Sequence, residues 1–343
     1  GAGQARIRRG LTYIVDMAPE SSASNAAQFK ERDAFPWNTF PKSGGIWLPM
    51  GMSYPKGDPV YIRLDTLNRH LLIAGATQHG KSTWMQTALA VLATKYGPDK
   101  FRLMLMDAKF GQEFSMWEGL EHLVTPVCKS PEEALQAARL LKAEMARRGD
   151  LIARTRTQNF VNHNEWAKAN GQPPLPFLLV MVDEFGAIMN NIGGNGSEFE
   201  RLMVDVAQQA LAGGVVMWCS CQVPTVKTIP STIRANLKGR IVFAMDKTTA
   251  PMSDIPEAAT IKHVGRYYTN IVHTGSLEPD LMQGWWLKKT YLPKLAAALV
   301  KHSETDMLLP LQLTDEELRI LLVGIEQLEL NMNVRAVMGI VGN

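Results

Sequence analysis

The sequence has few cysteines, little excess charge and no long hydrophobic run. Its three cysteines, Cys128, Cys219 and Cys221, are too few for a disulfide framework, and no His stands near them at metal-ligand spacing. We interpret them as small buried side chains in a reducing compartment. Thirty-six Lys and Arg against 33 Asp and Glu leave a net charge of +3, which excludes bulk electrostatic attraction to nucleic acid. Any such contact must come from a local patch.

Membrane segments are absent from the pattern as well. No apolar stretch approaches the roughly 20 residues that span a bilayer, and the N-terminus lacks the apolar region of a signal peptide. We therefore expect a cytoplasmic chain without a membrane segment of its own. The sequence opens at Gly1 without Met, which leaves open a membrane tether encoded upstream. Hydrophobic residues make up 46% of the 343 residues, enough for a sizeable buried core.

The chain divides into three parts. Residues 1–46 hold prolines and a Ser, Ala and Asn cluster without sustained periodicity, and we predict an N-terminal segment that is partly a disordered linker. Residues 47–292 alternate apolar runs with amphipathic stretches and form the predicted main domain. Residues 293–343 predict a C-terminal helical segment, in which 314–341 has the pattern of either an incomplete winged helix or a packing helix pair.

The main domain predicts a doubly wound α/β sheet that is mostly parallel, because apolar strands alternate with helical stretches. Ser130 and Glu133 predict a capping box at the start of the second helix. The predicted strands, of which the first two are edge strands, lie at 46–50, 60–64, 70–74, 101–106, 177–182, 215–220 and 240–245. The predicted helices lie at 81–96, 131–148, 198–212 and 293–302.

The strongest chemical signal is a phosphate-binding loop between a predicted strand and a predicted helix. Its residues match G-x-x-x-x-G-K-[ST], with Thr83 following: Gly75, Ala76, Thr77, Gln78, His79, Gly80, Lys81 and Ser82. Glycines let successive backbone N–H groups face a phosphate, and the helix N-terminus adds a favourable field. We predict that residues 75–83 bind ATP, that Lys81 bridges the β- and γ-phosphates and that Ser82 ligates Mg²⁺. A chance match in a glycine-rich turn is the alternative.

An acidic pair follows the apolar strand at 177–182. We predict that Asp183 holds Mg²⁺ through water and that Glu184 polarises the attacking water. Alone, such a pair would more often be a helix cap or a solvated turn. Its place in the same predicted sheet, about 100 residues after the phosphate loop, favours the catalytic interpretation.

Gln222 is a third candidate, since it ends the strand at 215–221. Open α/β sheets bind ligands outside the carboxyl ends of their strands, where this side chain could sense the γ-phosphate. An ordinary strand-end glutamine is an equal alternative.

Further motifs lie between Trp47 and Asp246. They are Met106-Asp107-Ala108-Lys109, the run from Glu118 to Val127 (E-G-L-E-H-L-V-T-P-V), Glu144-Met145-Ala146-Arg147-Arg148, Asp183-Glu184-Phe185 and Ile233-Arg234-Ala235-Asn236. Together with the phosphate loop, they resemble the FtsK/SpoIIIE family of ring-forming, ATP-driven translocases of double-stranded DNA. The glutamate–glycine and threonine–proline run is far more specific than the phosphate loop alone.

The resemblance implies a RecA-like P-loop NTPase motor domain over 47–292 that hydrolyses ATP with Mg²⁺ at the interfaces of a homohexamer around duplex DNA. It implies that Arg234, Lys247 and Lys227 are candidates for sequence-independent contacts with the DNA backbone in the ring pore. Each is equally explained as a solvated surface charge. Residues 265–268 and 284–287 resemble the closing strands of such domains.

The chain departs from the family pattern in several places. Leu211 stands where the family has the arginine that reaches into the neighbouring subunit's active site, so Arg201, Arg234 and Arg240 are candidate substitutes. Gln78 replaces a frequent glycine, and the loop at 192–197 has no lysine. Two alternatives to a DNA translocase therefore stay open. One is a protein-secretion ATPase of the type VII kind, and the other is a degenerate ring subunit that binds ATP only for assembly.

Overall fold

The computed structural model describes residues 36, 39–41, 44–107, 111–272, 278–287 and 292–301. Its strands are β1 (Trp47–Ser53), β2 (Pro59–Arg63), β3 (Leu71–Ala74), β4 (Phe101–Asp107), β5 (Phe177–Asp183), β6 (Val215–Cys221), β7 (Gly239–Phe243), β8 (Arg266–Thr269) and β9 (Asp280–Gln283). Its α-helices are α1 (Lys81–Lys95), α2 (Pro131–Arg154), α3 (Phe160–Ala169), α4 (Phe185–Asn191), α5 (Glu198–Gln209), α6 (Ser231–Arg234) and α7 (Leu292–Lys301).

One nine-stranded sheet contains all of these strands, in the order β2-β1-β9-β8-β7-β3-β6-β5-β4. Strands β7, β3, β6, β5 and β4 are parallel, and the other four extend the sheet in antiparallel fashion. Strand β6 lies between β3 and β5. Because parallel strands end at one edge, the segments after β3, β6 and β5 meet there. The order therefore brings the three predicted site segments together.

Helices cover both faces of the sheet, so the predicted doubly wound α/β fold is confirmed. Leu71 and Ile73 of β3 face the layer that contains α1 and α7, whereas Leu72 and Ala74 face the layer that contains α2 and α5. Burial on both faces explains why the parallel strands are continuous apolar runs without alternation. The capping box of α2 is confirmed too, since the Ser130 hydroxyl accepts from the backbone N–H of Glu133 at 3.2 Å.

The threonine–proline run that supports the family resemblance lies along the outer edge of β4. The backbone N–H of Leu103 donates to the His122 carbonyl at 2.8 Å, and the N–H of Cys128 donates to the Leu105 carbonyl at 2.9 Å. A further bond joins the Asp107 N–H to the Cys128 carbonyl. These bonds occupy backbone groups that an open edge strand would expose to other chains.

Three predictions about secondary structure were wrong. Strand β1 is an inner strand, because β9 pairs with it on the side away from β2. The predicted closing strand at 284–287 is not a strand: these residues follow β9, Trp286 alone makes a β-bridge, and the Trp285 ring packs against the Tyr61 ring with their centroids 5.0 Å apart. Helix α2 continues to Arg154, since Gly149 keeps a helical backbone and Ile152 is buried beyond it.

Several predictions lie outside the described residues. These include most of the segment 1–46 and the helical pattern at 314–341. Helix α7 confirms the predicted helix at 293–302 over its described length. None of the helices in the described ranges is long and apolar enough to cross a membrane.

Candidate nucleotide-binding site

The phosphate loop connects β3 to α1 through a backbone that favours glycine. Gly75 and Gly80 have φ values of 154° and 106°, in the region that residues with a Cβ rarely adopt. A Cβ on Gly75 would lie 2.6 Å from the Cβ of Phe243, so the loop also needs glycine in order to pass close to β7. The two glycines of the motif are therefore required by local geometry.

Gln78 adopts the same left-handed region, with φ of 67°. A residue with a Cβ is less stable there by roughly 1–2 kcal/mol. This strain gives a physical reason for the glycine that is frequent at this position in the family pattern.

Two backbone hydrogen bonds attach the loop to neighbouring strands. The N–H of Ala76 donates to the carbonyl of Ala244 after β7, and the N–H of Gly265 before β8 donates to the carbonyl of His79, both at 3.0 Å. These two bonds fix the loop against the segments after β7 and before β8, and backbone N–H groups of such loops are the usual phosphate donors.

Lys81, Ser82 and Thr83 form the first turn of α1. Lys81 is buried, with 8% of its surface exposed. The hydroxyl of Ser82 donates to Oε1 of Glu113 at 3.3 Å. Sequence reasoning missed Glu113. The signal that could have identified it is its position shortly after the carboxyl end of β4, a parallel strand.

The acidic pair lies at the end of β5, and Ser220 of β6 links its two members. The Ser220 hydroxyl donates to Oδ1 of Asp183 at 2.5 Å and accepts from the backbone N–H of Glu184 at 3.3 Å. Glu184 has φ of 50° and ψ of 58°, so the chain turns sharply between β5 and α4. Sequence reasoning missed Ser220 because only the sheet order reveals that β6 is adjacent to β5.

Asp183 provides an oxygen suited to a cation. The residue is 1% exposed, and its Oδ2 has no hydrogen-bond partner among the described residues. A buried carboxylate oxygen without a donor is costly, and Mg²⁺ or a water bound to it would satisfy that oxygen. The Ser82 hydroxyl is a second oxygen ligand of the right type. The donor set therefore fits the Mg²⁺ that accompanies a nucleotide.

No group of three or more His, Cys, Asp and Glu in the described ranges could hold a metal ion by itself. The three cysteines are free and buried, as predicted. Burial raises the pKa of the Cys221 thiol to about 12, so this residue beside the site stays protonated at neutral pH.

Gln222 follows β6 at the edge where the phosphate loop lies, and it is exposed to solvent. Its predicted contact with a γ-phosphate stays a prediction.

Comparison with known proteins identifies the family. The sequence model of the FtsK/SpoIIIE family matches residues 35–259. The chain belongs to the FtsK/SpoIIIE family. A curated relative, the DNA translocase FtsK of Halalkalibacterium halodurans, is 33% identical over 237 residues, which are 67% of this chain and 29% of the relative. The chain thus spans about 30% of the length of the curated FtsK relatives it matches.

Solved structures share the fold at low sequence identity. The cytoplasmic domain of the type VII secretion ATPase EccC from Thermomonospora curvata has a TM-score of 0.67 at 19% identity, covering 88% of this chain and 35% of EccC. The pCW3 conjugation coupling protein TcpA, in its monomer form with ATPγS, has a TM-score of 0.64 at 20% identity, covering 85% of this chain and 86% of TcpA. The fold of this FtsK/SpoIIIE chain is that of P-loop ATPase motor domains.

The basic residues that the FtsK/SpoIIIE resemblance proposed for DNA follow β6 and β7: Lys227 and Lys247 lie in loops, and Arg234 ends α6. Lys227 and Lys247 are exposed. Arg234 is half-buried, since its guanidinium donates to the Pro224 carbonyl at 3.0 Å and contacts Oδ1 of Asp254 at 3.4 Å. The two lysines therefore face solvent, whereas Arg234 is engaged within the fold.

The candidate substitutes for the missing arginine of the FtsK/SpoIIIE pattern differ in how exposed their side chains are. Arg240 is buried and binds Oδ2 of Asp254 at 2.7 Å, so it is poorly placed to enter a neighbouring subunit. Arg201 is exposed on α5, where it donates to the Gly196 carbonyl at 3.4 Å. Leu211 itself lies before β6 and packs against the core.

Proposed function

We propose that this chain is the ATP-hydrolysing motor of a translocase that moves double-stranded DNA, and that it works as a homohexameric ring. The observation that supports this proposal most is the arrangement of site side chains at the carboxyl ends of the parallel strands. Lys81 and Ser82 begin the helix after the phosphate loop, and Asp183 and Glu184 lie two strands away, linked through Ser220 on the strand between. Membership of the FtsK/SpoIIIE family supports DNA as the substrate that is moved.

Hydrolysis follows from the roles of these side chains. The loop amides and Lys81 would bind and orient the phosphates, and Mg²⁺ would be held by the Ser82 hydroxyl and, through water, by Asp183. Bound Mg²⁺ supplies positive charge that stabilises the negative charge developing on the phosphates. Glu184 orients the attacking water and takes up its proton as the water oxygen bonds to the γ-phosphorus, while the bond from that phosphorus to the bridging oxygen of ADP breaks and ADP and phosphate are released.

DNA contact is assigned to the loops after β6 and β7. They leave the same edge as the phosphate loop, and the backbone bond from Ala76 to Ala244 connects that loop directly to the end of β7. A change at the phosphates can therefore reach the segment that bears Lys247. A few exposed lysines are enough for contacts with the phosphate backbone that do not depend on sequence.

Two features of the sequence would also suit a motor whose substrate is a protein. The loop at 192–197 contains no lysine, and the net charge of the chain is only +3. Both would suit a motor that moves a protein, such as a secretion ATPase of the type VII kind. The absence of the family's arginine at Leu211 would suit a subunit that binds ATP for assembly alone.

The rate of ATP hydrolysis against added duplex DNA separates these proposals, with Lys81→Ala as the inactive control. For a DNA motor, we expect the rate to rise with DNA at low salt and the stimulation to disappear as salt increases, since phosphate contacts release counterions. A measurable rate indifferent to DNA would favour the protein substrate. No turnover, with nucleotide still bound, would favour the assembly subunit.

A further inference from the structure

Glu113 brings a carboxylate to the phosphate loop from outside both nucleotide-binding motifs. Its Oε1 accepts the hydroxyl proton of Ser82 at 3.3 Å. Glu113 follows β4, which lies beyond β5 in the sheet and four strands from β7. Since Ser82 is the residue that we assign to Mg²⁺, this carboxylate contacts the metal ligand directly.

The backbone of Glu113 is held on both sides, so the contact is built into the fold. Its N–H donates to Oδ2 of Asp107 at 2.7 Å, and the same oxygen accepts the N–H of Phe114 at 3.1 Å. Its carbonyl accepts from the side-chain amide of Gln86 on α1. The Trp117 indole in turn donates to Gln86 at 2.7 Å. The end of β4 and the first turns of α1 thus fix Glu113 opposite Ser82.

This connection gives a role to Asp107, which ends β4 level with Asp183 on β5. Asp107 is 1% exposed, and its Oδ2 accepts two backbone N–H groups. It therefore shapes the turn that presents Glu113. Asp183, by contrast, accepts the Ser220 hydroxyl proton at its Oδ1. The carboxylate in hydrogen-bond contact with the Ser82 hydroxyl is that of Glu113.

We propose that Glu113 is a positioning residue for Mg²⁺: by accepting the Ser82 hydroxyl proton, it directs an oxygen lone pair of Ser82 toward the metal bound with ATP. The proposal rests on the assignment of Ser82 as a Mg²⁺ ligand under the proposed function. A residue that accepts a hydrogen bond from a metal-ligating side chain fixes the orientation of that side chain and makes it a stronger electron donor to the metal. Loss of such a residue typically weakens metal binding by roughly 10–100-fold.

The test is the Mg²⁺ dependence of nucleotide binding, followed with a fluorescent ATPγS analogue and independent of turnover. We expect Glu113→Ala to raise the Mg²⁺ concentration at half-saturation by roughly tenfold or more, while the affinity measured in EDTA stays as in the wild type. Glu113→Gln should have a smaller effect because the amide oxygen still accepts the proton. Glu132→Ala, at an exposed carboxylate in the first turn of α2, is the control and should change neither quantity.

A double-mutant cycle with Ser82→Ala isolates the pair. If Glu113 acts through Ser82, Glu113→Ala should add no further shift in the Ser82→Ala background. An equal loss of affinity with and without Mg²⁺, or fully additive effects, would overturn the inference. If the wild type itself bound nucleotide without any dependence on Mg²⁺, the site assignment under the proposed function would fail instead. Thermal melting of each variant checks that the fold is retained.

Discussion

The nucleotide site and the loops that we assign to DNA leave the same edge of the sheet, yet they are built differently. Near the phosphate loop, Asp183 of β5, Ser220 of β6 and Glu113 after β4 each form a hydrogen bond with another residue of the site. Lys227 and Lys247 instead stand exposed on their loops. A site that performs chemistry must be fixed within narrow limits, whereas contacts with a uniform phosphate backbone need only charge within reach.

The loop after β7 shows how little support such a charge requires. Asp246 caps a short turn by accepting from the hydroxyls and backbone N–H groups of Thr248 and Thr249. Hydrogen bonds from Thr248 and Thr249 hold the pKa of Asp246 well below its ordinary value, so the cap persists at any physiological pH. Hydrogen bonds within the turn itself therefore fix its backbone, and Lys247 in the turn is exposed to solvent. The difference predicts large effects of mutation at the nucleotide site and small, graded ones in the loops.

Glu184→Gln tests the nucleotide site most severely. The amide keeps the size of the side chain but cannot accept the proton of the attacking water, so kcat should fall by roughly 10²–10⁴-fold. Nucleotide affinity should stay close to the wild-type value. Phosphate release and equilibrium nucleotide binding measure the two quantities. Glu165→Gln, at an exposed position of α3, is the matched control. A variant that retained wild-type turnover would remove Glu184 from its assigned role.

Ser220→Ala should have the next largest effect. Its hydroxyl joins the Asp183 carboxylate to the Glu184 backbone, and its loss should free both groups, lowering kcat by roughly tenfold or more with little change in affinity for the metal-free nucleotide. Ser253→Ala also removes a buried hydroxyl that is hydrogen-bonded, in this case to the Ala250 carbonyl. Both variants should lose about 1 kcal/mol of stability. Only Ser220→Ala should change kcat, and equal kcat values would make Ser220 merely structural.

The lysines of the loops should give smaller effects. Each lysine that contacts a phosphate contributes about 0.9 to the slope of log affinity against log salt concentration. We expect Lys227→Ala and Lys247→Ala each to reduce the slope by about one, and Arg234→Ala to reduce it less, because Arg234 is already paired with Asp254. DNA binding measured across a salt series decides this. Lys168→Ala, an exposed lysine on α3, should leave the slope unchanged. A larger reduction of the slope for Arg234→Ala than for the lysine variants would contradict the assignment of the DNA contacts mainly to the exposed lysines.

The same contrast determines what sequence could predict. The phosphate loop, the acidic pair and the parallel strands were predicted because their signals are local: glycines at fixed spacing and apolar runs that are buried on both faces. Ser220 and Glu113 were not predicted, since each matters only through a neighbour that the fold supplies. Ser220 needs β6 beside β5, and Glu113 needs the turn after β4 packed on α1. Strand β9 was missed because the tryptophans after it gave a stronger apolar signal.

The smallest predicted effect lies within the phosphate loop itself. Gln78 has φ of 67°, so Gln78→Gly should relieve about 1 kcal/mol of backbone strain and lose a similar amount to the greater entropy of glycine in the unfolded chain. The free energy of unfolding should therefore hardly change. Gln172→Gly is the matched substitution at an exposed residue outside the left-handed region, and it gains no such relief, so it should lose roughly 0.5–1 kcal/mol. Denaturant titration compares the two. Equal losses at both positions would mean that the phosphate loop does not hold Gln78 in a strained backbone, and that its rigidity depends on the glycines at its ends alone.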